Sequence, residues 1–351
     1  MPTECKTYAA PACQVPLAPH TIQRRDVGED DVAIKVAFCG VCHSDLHQVR
    51  DEWGKGIFPM VPGHEIVGHV TQVGPKVTKY KVGDAVGVGC MVDSCRECKQ
   101  CKRDVEQYCV KGASFTYNST EQDKTTPTYG GYSDHVVVRE RFVCRIPDNL
   151  DLCAAAPLLC AGATTFSPLR YWGVKKGTRV GVVGLGGLGH MAVKLAHAME
   201  AEVTVFTTSA KKFGAAKELG ADRVVQSTDP EQMKAAAGSL DLIIDTVGMS
   251  HDLQPYINTL DIDGKINLVG MPENPHPPFE PKHVIACRNF VGGSNIAGLA
   301  ETQEMLDFCG KHNVVAEVEK IDIQYINEAY ERMLKSDVKY RFVIDIASLH
   351  K

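Results

Sequence analysis

Two groups of metal-binding side chains stand out first. Cys95, Cys98, Cys101 and Cys109 give Cys-x2-Cys-x2-Cys-x7-Cys. Two-residue gaps let neighbouring thiolates converge on one ion from a turn, and a fourth sulfur closes a tetrahedron. The segment that carries them, DSCRECKQCKRDVEQYC, is polar and lacks apolar periodicity. Burial alone could not fold it, so zinc is expected to supply the missing stability. With four sulfurs and no open position, that ion would be structural. The second group is dispersed: Cys42 in GVCHSDLH, His64 in PGHE and Cys160 in PLLCAG. Each is weak alone, since a lone histidine is more often a satisfied core or surface residue than a ligand. Together they offer two sulfurs and an imidazole, which leaves a fourth position for water or substrate. A metal held that way polarises an alcohol or carbonyl oxygen.

A third pattern is Gly184-Leu185-Gly186-Gly187-Leu188-Gly189. It follows an apolar run at 179–183 and opens a helical pattern at 188–199, the context that makes Gly-x-Gly-x-x-Gly a dinucleotide signature. Missing side chains let the backbone and the helix N-terminus approach a pyrophosphate. The next strand, 202–206, runs into FTTSAKK with no acid at its tip. An acid there would accept ribose hydroxyls in an NAD site and would repel a 2′-phosphate. Hydroxyls and lysines bind such a phosphate instead. Thr208, Ser209 and Lys212 are therefore the expected contacts, and the cofactor is read as NADP(H).

These residues must be positioned by two kinds of scaffold. The first 150 or so residues carry short β-branched runs, at 32–38, 66–73 and 135–138, separated by Gly-rich turns, which reads as a mostly antiparallel β domain with functional loops. From residue 179 strands alternate with helices: strands at 179–183, 202–206, 241–245 and 265–269, and helices at 188–199 and 211–219. That alternation implies a parallel sheet covered by helices. A further helix is expected at 301–311.

At 351 residues the chain is long for one core, so two domains are expected. Hydrophobic residues make up 44% and charged residues 23%, ordinary for a soluble enzyme. A formal net charge of −5 gives no basic field to hold nucleic acid. No run is long enough to span a membrane, and no secretory leader pattern is seen, which points to the cytoplasm. Fourteen cysteines in such a chain read as metal ligands and buried small residues rather than disulfides.

GVCHSDLH, the PGHE, the cysteine lobe and GLGGLG occur in an order that resembles the zinc-containing medium-chain alcohol dehydrogenases. PLLCAGATTFSPL around Cys160 is most similar to the cinnamyl alcohol dehydrogenase branch and its bacterial aldehyde reductases. The resemblance implies an α/β chain: a β-rich GroES-like catalytic domain at 1–155 and 297–351, and a doubly wound Rossmann cofactor domain at 156–296. It makes Cys42, His64 and Cys160 ligands of a catalytic zinc, with Glu65 beside them as an occasional ligand or a supporting carboxylate. Cys39, three residues before Cys42, is then a buried strand residue. Ser44 would hydrogen-bond the substrate oxygen, His47 would pass the proton onward, and Asp45 would orient a ligand. Thr164 would lie beside the nicotinamide and Arg341 would reach the pyrophosphate. Trp53, Cys90, Met91 and Ile296 would line the substrate pocket. The implied reaction interconverts aldehydes and primary alcohols, mainly as reduction, in a homodimer. The alternatives are an NAD-linked polyol or secondary alcohol dehydrogenase, and a non-enzymatic zinc- and nucleotide-binding redox sensor.

Overall fold

Strands β1 (Thr3–Ala9) and β2 (Ala18–Arg24) form an antiparallel ribbon in which Thr3 faces Arg24 and Ala9 faces Ala18. β3 (Asp31–Val41) is buried along most of its length because it has a different partner at each end. Its residues Val32–Cys39 pair with β4 (Ile66–Val73), which pairs in turn with β5 (Ala85–Val88). β6 (Met91–Asp93) and β7 (Ser114–Phe115) make a small separate ribbon beside the cysteine lobe. β8 (His135–Arg139) adds to the first half of β3, and β9 (Cys144–Arg145) to β5. Helix α1 (His43–Val49) starts directly after β3, and the short α2 (Leu152–Ala155) is capped by the Asp151 carboxylate.

Helix α3 (Ala161–Tyr171) leads to a six-stranded sheet of β10 (Arg179–Val183), β11 (Glu202–Thr207), β12 (Arg223–Gln226), β13 (Leu240–Asp245), β14 (Leu260–Leu268) and β15 (Phe290–Gly293). All its pairs are parallel and the order is β12-β11-β10-β13-β14-β15. The order reverses between β10 and β13, the switch point at which such sheets bind nucleotides. Helix α4 (Gly187–Ala198) buries Met191, Val193 and Leu195. The core of the sheet is built from Val183, Phe206, Val225, Ile243 and Ile266.

The chain then returns through helix Leu299–His312 to β16 (Val318–Asp322) and β17 (Arg341–Asp345). β17 pairs antiparallel with the second half of β3, Phe342 opposite Val41, giving the order β16-β17-β3-β4-β5-β9.

This computed structural model describes residues 3–351. It forms two compact units: one runs to Cys160 and resumes at Ala297, the other is Ala161–Ile296. The first crossing therefore comes after residue 160 rather than after 155, because α2 and the 3-10 turn Ala156–Leu159 pack on β3, β4 and β5. The helix expected at 211–219 is divided into a 3-10 turn, Ala210–Lys212, and a helix, Phe213–Glu218. Among the described residues no single helix is long and apolar enough to cross a membrane.

Candidate active site

In the first unit, Cys42, His64, Glu65 and Cys160 come together although 118 residues separate the two cysteines. Cys42 caps α1 at the end of β3, His64 and Glu65 immediately precede β4, and Cys160 follows the 3-10 turn that packs on those strands. One donor atom from each of the four lies within 4.8 Å of the others, and all four residues are buried. The Cys42 and Cys160 sulfurs are 3.9 Å apart. His64 Nε2 is buried without any hydrogen-bond partner. A buried, orphaned imidazole nitrogen beside two thiols is the donor set that zinc satisfies. The bond from Cys160 pulls the Cys42 thiol well below its usual range against burial, with the Arg341 and His64 charges helping. That readies a thiolate ligand, since metals bind the deprotonated form.

Glu65 is ion-paired with Arg341, Oε1 to Nη2 at 3.2 Å, and both side chains are almost wholly buried. Arg341 also donates to the Val41 carbonyl at 3.2 Å. Burial pushes Glu65 up to about 8 despite this guanidinium. Arg341, expected at a pyrophosphate, is thus only 4% exposed and engaged with Glu65 and the end of β3.

Asp45 is completely buried and is held by two backbone amides and a tyrosine hydroxyl. Its Oδ2 accepts from Cys42 N at 2.8 Å and from the Tyr132 hydroxyl at 3.0 Å, and its Oδ1 accepts from Gly63 N at 3.1 Å. One carboxylate so ties together the two loops that carry Cys42 and His64. Gly63 supports this tie with a left-handed φ of 102° and no room for a Cβ, which would meet Cys39 Sγ at 2.7 Å.

On α1, Ser44 Oγ lies 3.5 Å from Cys42 Sγ. His47 Nδ1 is hydrogen-bonded to a carboxylate oxygen of Glu52, a partner that sequence reading missed. The contact fixes the imidazole tautomer, with Nδ1 protonated and Nε2 free to exchange a proton. Trp53 stacks on the His47 ring at 4.6 Å and 22°. Of the other expected pocket residues, Met91 is buried at 4% exposure and Cys90 is half-buried beside Cys160. Ile296 takes a left-handed φ of 37°, rare for a β-branched residue.

The four-cysteine lobe also closes. Its sulfurs lie within 4.8 Å of one another, with Cys98 to Cys101 at 3.5 Å and Cys95 to Cys101 at 3.9 Å. Backbone amides of Cys101 and Val110 pull Cys98 down to about 6, a thiolate-stabilising nest.

In the second unit the Gly-rich turn joins β10 to α4 as expected from the sequence. Gly184 has φ 87°, and a Cβ on Gly189 would meet the Gly184 carbonyl oxygen at 2.2 Å. Around Gly186 nothing lies within 4 Å of a Cβ position, and this glycine caps α4 with no side chain on the helix amides. The turn and its free helix N-terminus are a cradle that fits a pyrophosphate. Lys212 Nζ reaches back to the Leu185 carbonyl at 3.1 Å, which brings the basic end of the β11 loop to the Gly-rich turn. Thr208 is exposed and Ser209 half-buried beside it. Thr164 is buried on α3 with its hydroxyl unpartnered.

Residues 28–148 match the alcohol dehydrogenase GroES-like domain, and residues 187–311 the zinc-binding dehydrogenase domain. The chain is 55% identical over 343 residues to NADP-dependent alcohol dehydrogenase C of Mycobacterium tuberculosis, covering 97% of this chain and 98% of that one. The chain belongs to the zinc-binding alcohol dehydrogenase family. Aldehyde reductase YahK of Escherichia coli is 53% identical over 98% of this chain and 99% of its own. A cinnamyl alcohol dehydrogenase structure from Sorghum bicolor superposes with a TM-score of 0.95 at 46% identity, covering 98% of each chain. Against the redox-sensor alternative stands the three-ligand set with Ser44 and His47 kept beside it.

Proposed function

We propose that this member of the family is an NADP(H)-linked alcohol dehydrogenase that acts mainly as an aldehyde reductase, with aromatic and medium-chain aldehydes as substrates. The observation that carries the reading is the convergence of Cys42, His64 and Cys160 beside the Ser44 hydroxyl and the His47–Glu52 pair. Cys42, His64 and Cys160 would hold a zinc that supplies polarisation of the substrate oxygen, and the Gly-rich turn would hold a nicotinamide cofactor that supplies or accepts the hydride. The chain's own residues handle the proton and the position. Ser44, which can donate and accept in turn, hydrogen-bonds the substrate oxygen. His47 exchanges the proton with this site, and Glu52, 26% exposed, holds the imidazole through Nδ1. Trp53, flat against His47, gives an aromatic wall to this path.

The 2′-phosphate reading rests on Thr208, Ser209 and Lys212 at the tip of β11, with no carboxylate there. The cysteine lobe holds the structural zinc. The protein works in the cytoplasm, where zinc thiolates stay reduced, and it pairs as a homodimer through β15, one of the two edges of the parallel sheet and the one where Phe290 is half exposed.

The deciding assay follows oxidation of NADPH, and separately of NADH, by cinnamaldehyde with zinc-loaded protein. Faster turnover with NADPH, and a Lys212→Ala variant whose KM rises for NADPH but not for NADH, supports the reading. One charge-assisted contact is worth about 1.5–3 kcal/mol, or roughly 10- to 150-fold in KM. Preference for NADH would restore the polyol dehydrogenase alternative.

A further inference from the structure

A third cluster of metal-binding side chains shares no residue with those just described. Cys5 of β1 and the Asp134–His135 pair at the start of β8 bring a sulfur, a carboxylate oxygen and an imidazole nitrogen within 4.8 Å of one another. Cys5 Sγ donates to Asp134 Oδ1 at 3.0 Å, and His135 Nδ1 is hydrogen-bonded to the same oxygen.

The cluster is held by its surroundings before anything binds. The Lys6 amide donates to Asp134 Oδ2 at 3.2 Å, which anchors one carboxylate oxygen and leaves the other facing Cys5 and His135. Asp134 N donates to the Lys6 carbonyl at 3.1 Å, so the strand of Cys5 and the segment of Asp134 are laced together. Arg24 closes the frame: its guanidinium donates to the carbonyls of Tyr129 at 2.8 Å, Gly130 at 2.9 Å and His135 at 3.1 Å, and to Ser133 Oγ at 2.9 Å. Donors anchored on strands and fixed by a surrounding hydrogen-bond shell are the arrangement that ligand spheres use. Cys5 is fully buried, whereas Asp134 and His135 are 22% and 23% exposed, so the cluster opens to solvent on one side.

We propose that Cys5, Asp134 and His135 form a third metal site that takes a zinc-class divalent cation. The donor set selects the ion. A thiolate and an imidazole favour borderline cations such as zinc, cobalt or cadmium over magnesium or calcium. Three protein ligands leave a fourth position for water at the exposed side. Binding replaces both contacts on Asp134 Oδ1: the thiol proton and the proton on His135 Nδ1 leave to solvent, the imidazole stays neutral with its proton on Nε2, and no oxidation state changes. The site shares no ligand with the two sites above.

The test is equilibrium dialysis of the full-length, zinc-loaded protein against dilute Zn2+, with metal per chain counted by mass spectrometry. Wild type should bind an ion for each of the three clusters. Cys5→Ser and His135→Gln should each lose one ion while aldehyde reduction is unchanged. Wild type that stops at two ions, or variants that keep the third, would overturn the proposal. If the variants fail to fold, cadmium-113 resonance on the wild type decides. A third signal, shifted between all-sulfur and nitrogen–oxygen ligation, is expected, and its absence refutes the site.

Discussion

Asp45 accepts three hydrogen bonds and is not one of the four clustered metal-binding side chains, so its removal isolates the tie between the ligand loops. In Asp45→Asn the side chain keeps its shape but exchanges one acceptor for a donor. With the amide oxygen at the Oδ2 position, the bonds from Cys42 N and the Tyr132 hydroxyl survive, and the new NH2 faces Gly63 N at 3.1 Å. With the amide reversed, the NH2 faces Cys42 N at 2.8 Å instead. Either way one buried backbone N–H loses its acceptor, which costs about 1–3 kcal/mol. Because Cys42 and Gly63 frame the ligand set, this loss falls on metal binding and should weaken the catalytic zinc by roughly 5- to 140-fold. The assay is competition with a chromogenic chelator, with the cysteine lobe as internal control, since Asp45 bonds none of its residues. Zinc retention like wild type, or equal loss from both sites, would refute the reasoning.

Three further outcomes follow from the same structure. Glu52→Gln should lower kcat by about 10- to 100-fold with the fold intact, because the imidazole loses the carboxylate that accepts from Nδ1 and fixes its orientation; an unchanged kcat would assign Glu52 to folding alone. Gly189→Ala should raise KM for NADPH by about 10- to 100-fold with little change at the zinc sites, since the 2.2 Å approach to the Gly184 carbonyl must open by nearly 1 Å; pyridine nucleotide fluorescence titration checks it. Asp31 is buried, which by itself would raise its pKa, but the Arg25 guanidinium and the Gly28 amide outweigh burial and hold it below the usual carboxylate range. A lowered folded-state pKa means its stabilisation is complete at neutral pH and is lost as acid titrates it below about pH 4. Asp31→Asn should therefore be less stable at pH 7 and show a flatter acid dependence; parallel acid unfolding curves for the two proteins would contradict this.

The chemistry was legible wherever it is local in sequence. The cysteine lobe, GVCHSDLH and the Gly-rich turn each hold their residues within a turn or a strand–helix junction, so spacing reports geometry. The parallel sheet was legible for the same reason, from the alternation of apolar runs. What escaped was long-range. Nothing near Arg341 announces that it lies against Glu65, because the pairing of β17 with β3 decides it. The Glu52 partner of His47 lies five residues on, past the end of α1, where helical periodicity no longer applies; the backbone bond from Glu52 N to the His47 carbonyl places it. The unit boundary lies five residues beyond the one the resemblance implies, because residues 156–160 pack on β3, β4 and β5, a long-range contact that nothing in their own stretch reports.

The double partnership of β3 also governs when the catalytic half can come into being. The strand that delivers Cys42 is flanked at its far end by β17, and Arg341 reaches Val41 across 300 residues of chain. During synthesis the entire nucleotide-binding unit must leave the ribosome before that strand gains its last neighbour. Until then the future zinc pocket has an open sheet edge and lacks the guanidinium that balances Glu65. The cofactor unit, contiguous from Ala161 to Ile296, has no such wait. The nascent protein should thus be able to hold nucleotide before it can hold its catalytic metal, and its aggregation risk is concentrated in the interval between the two.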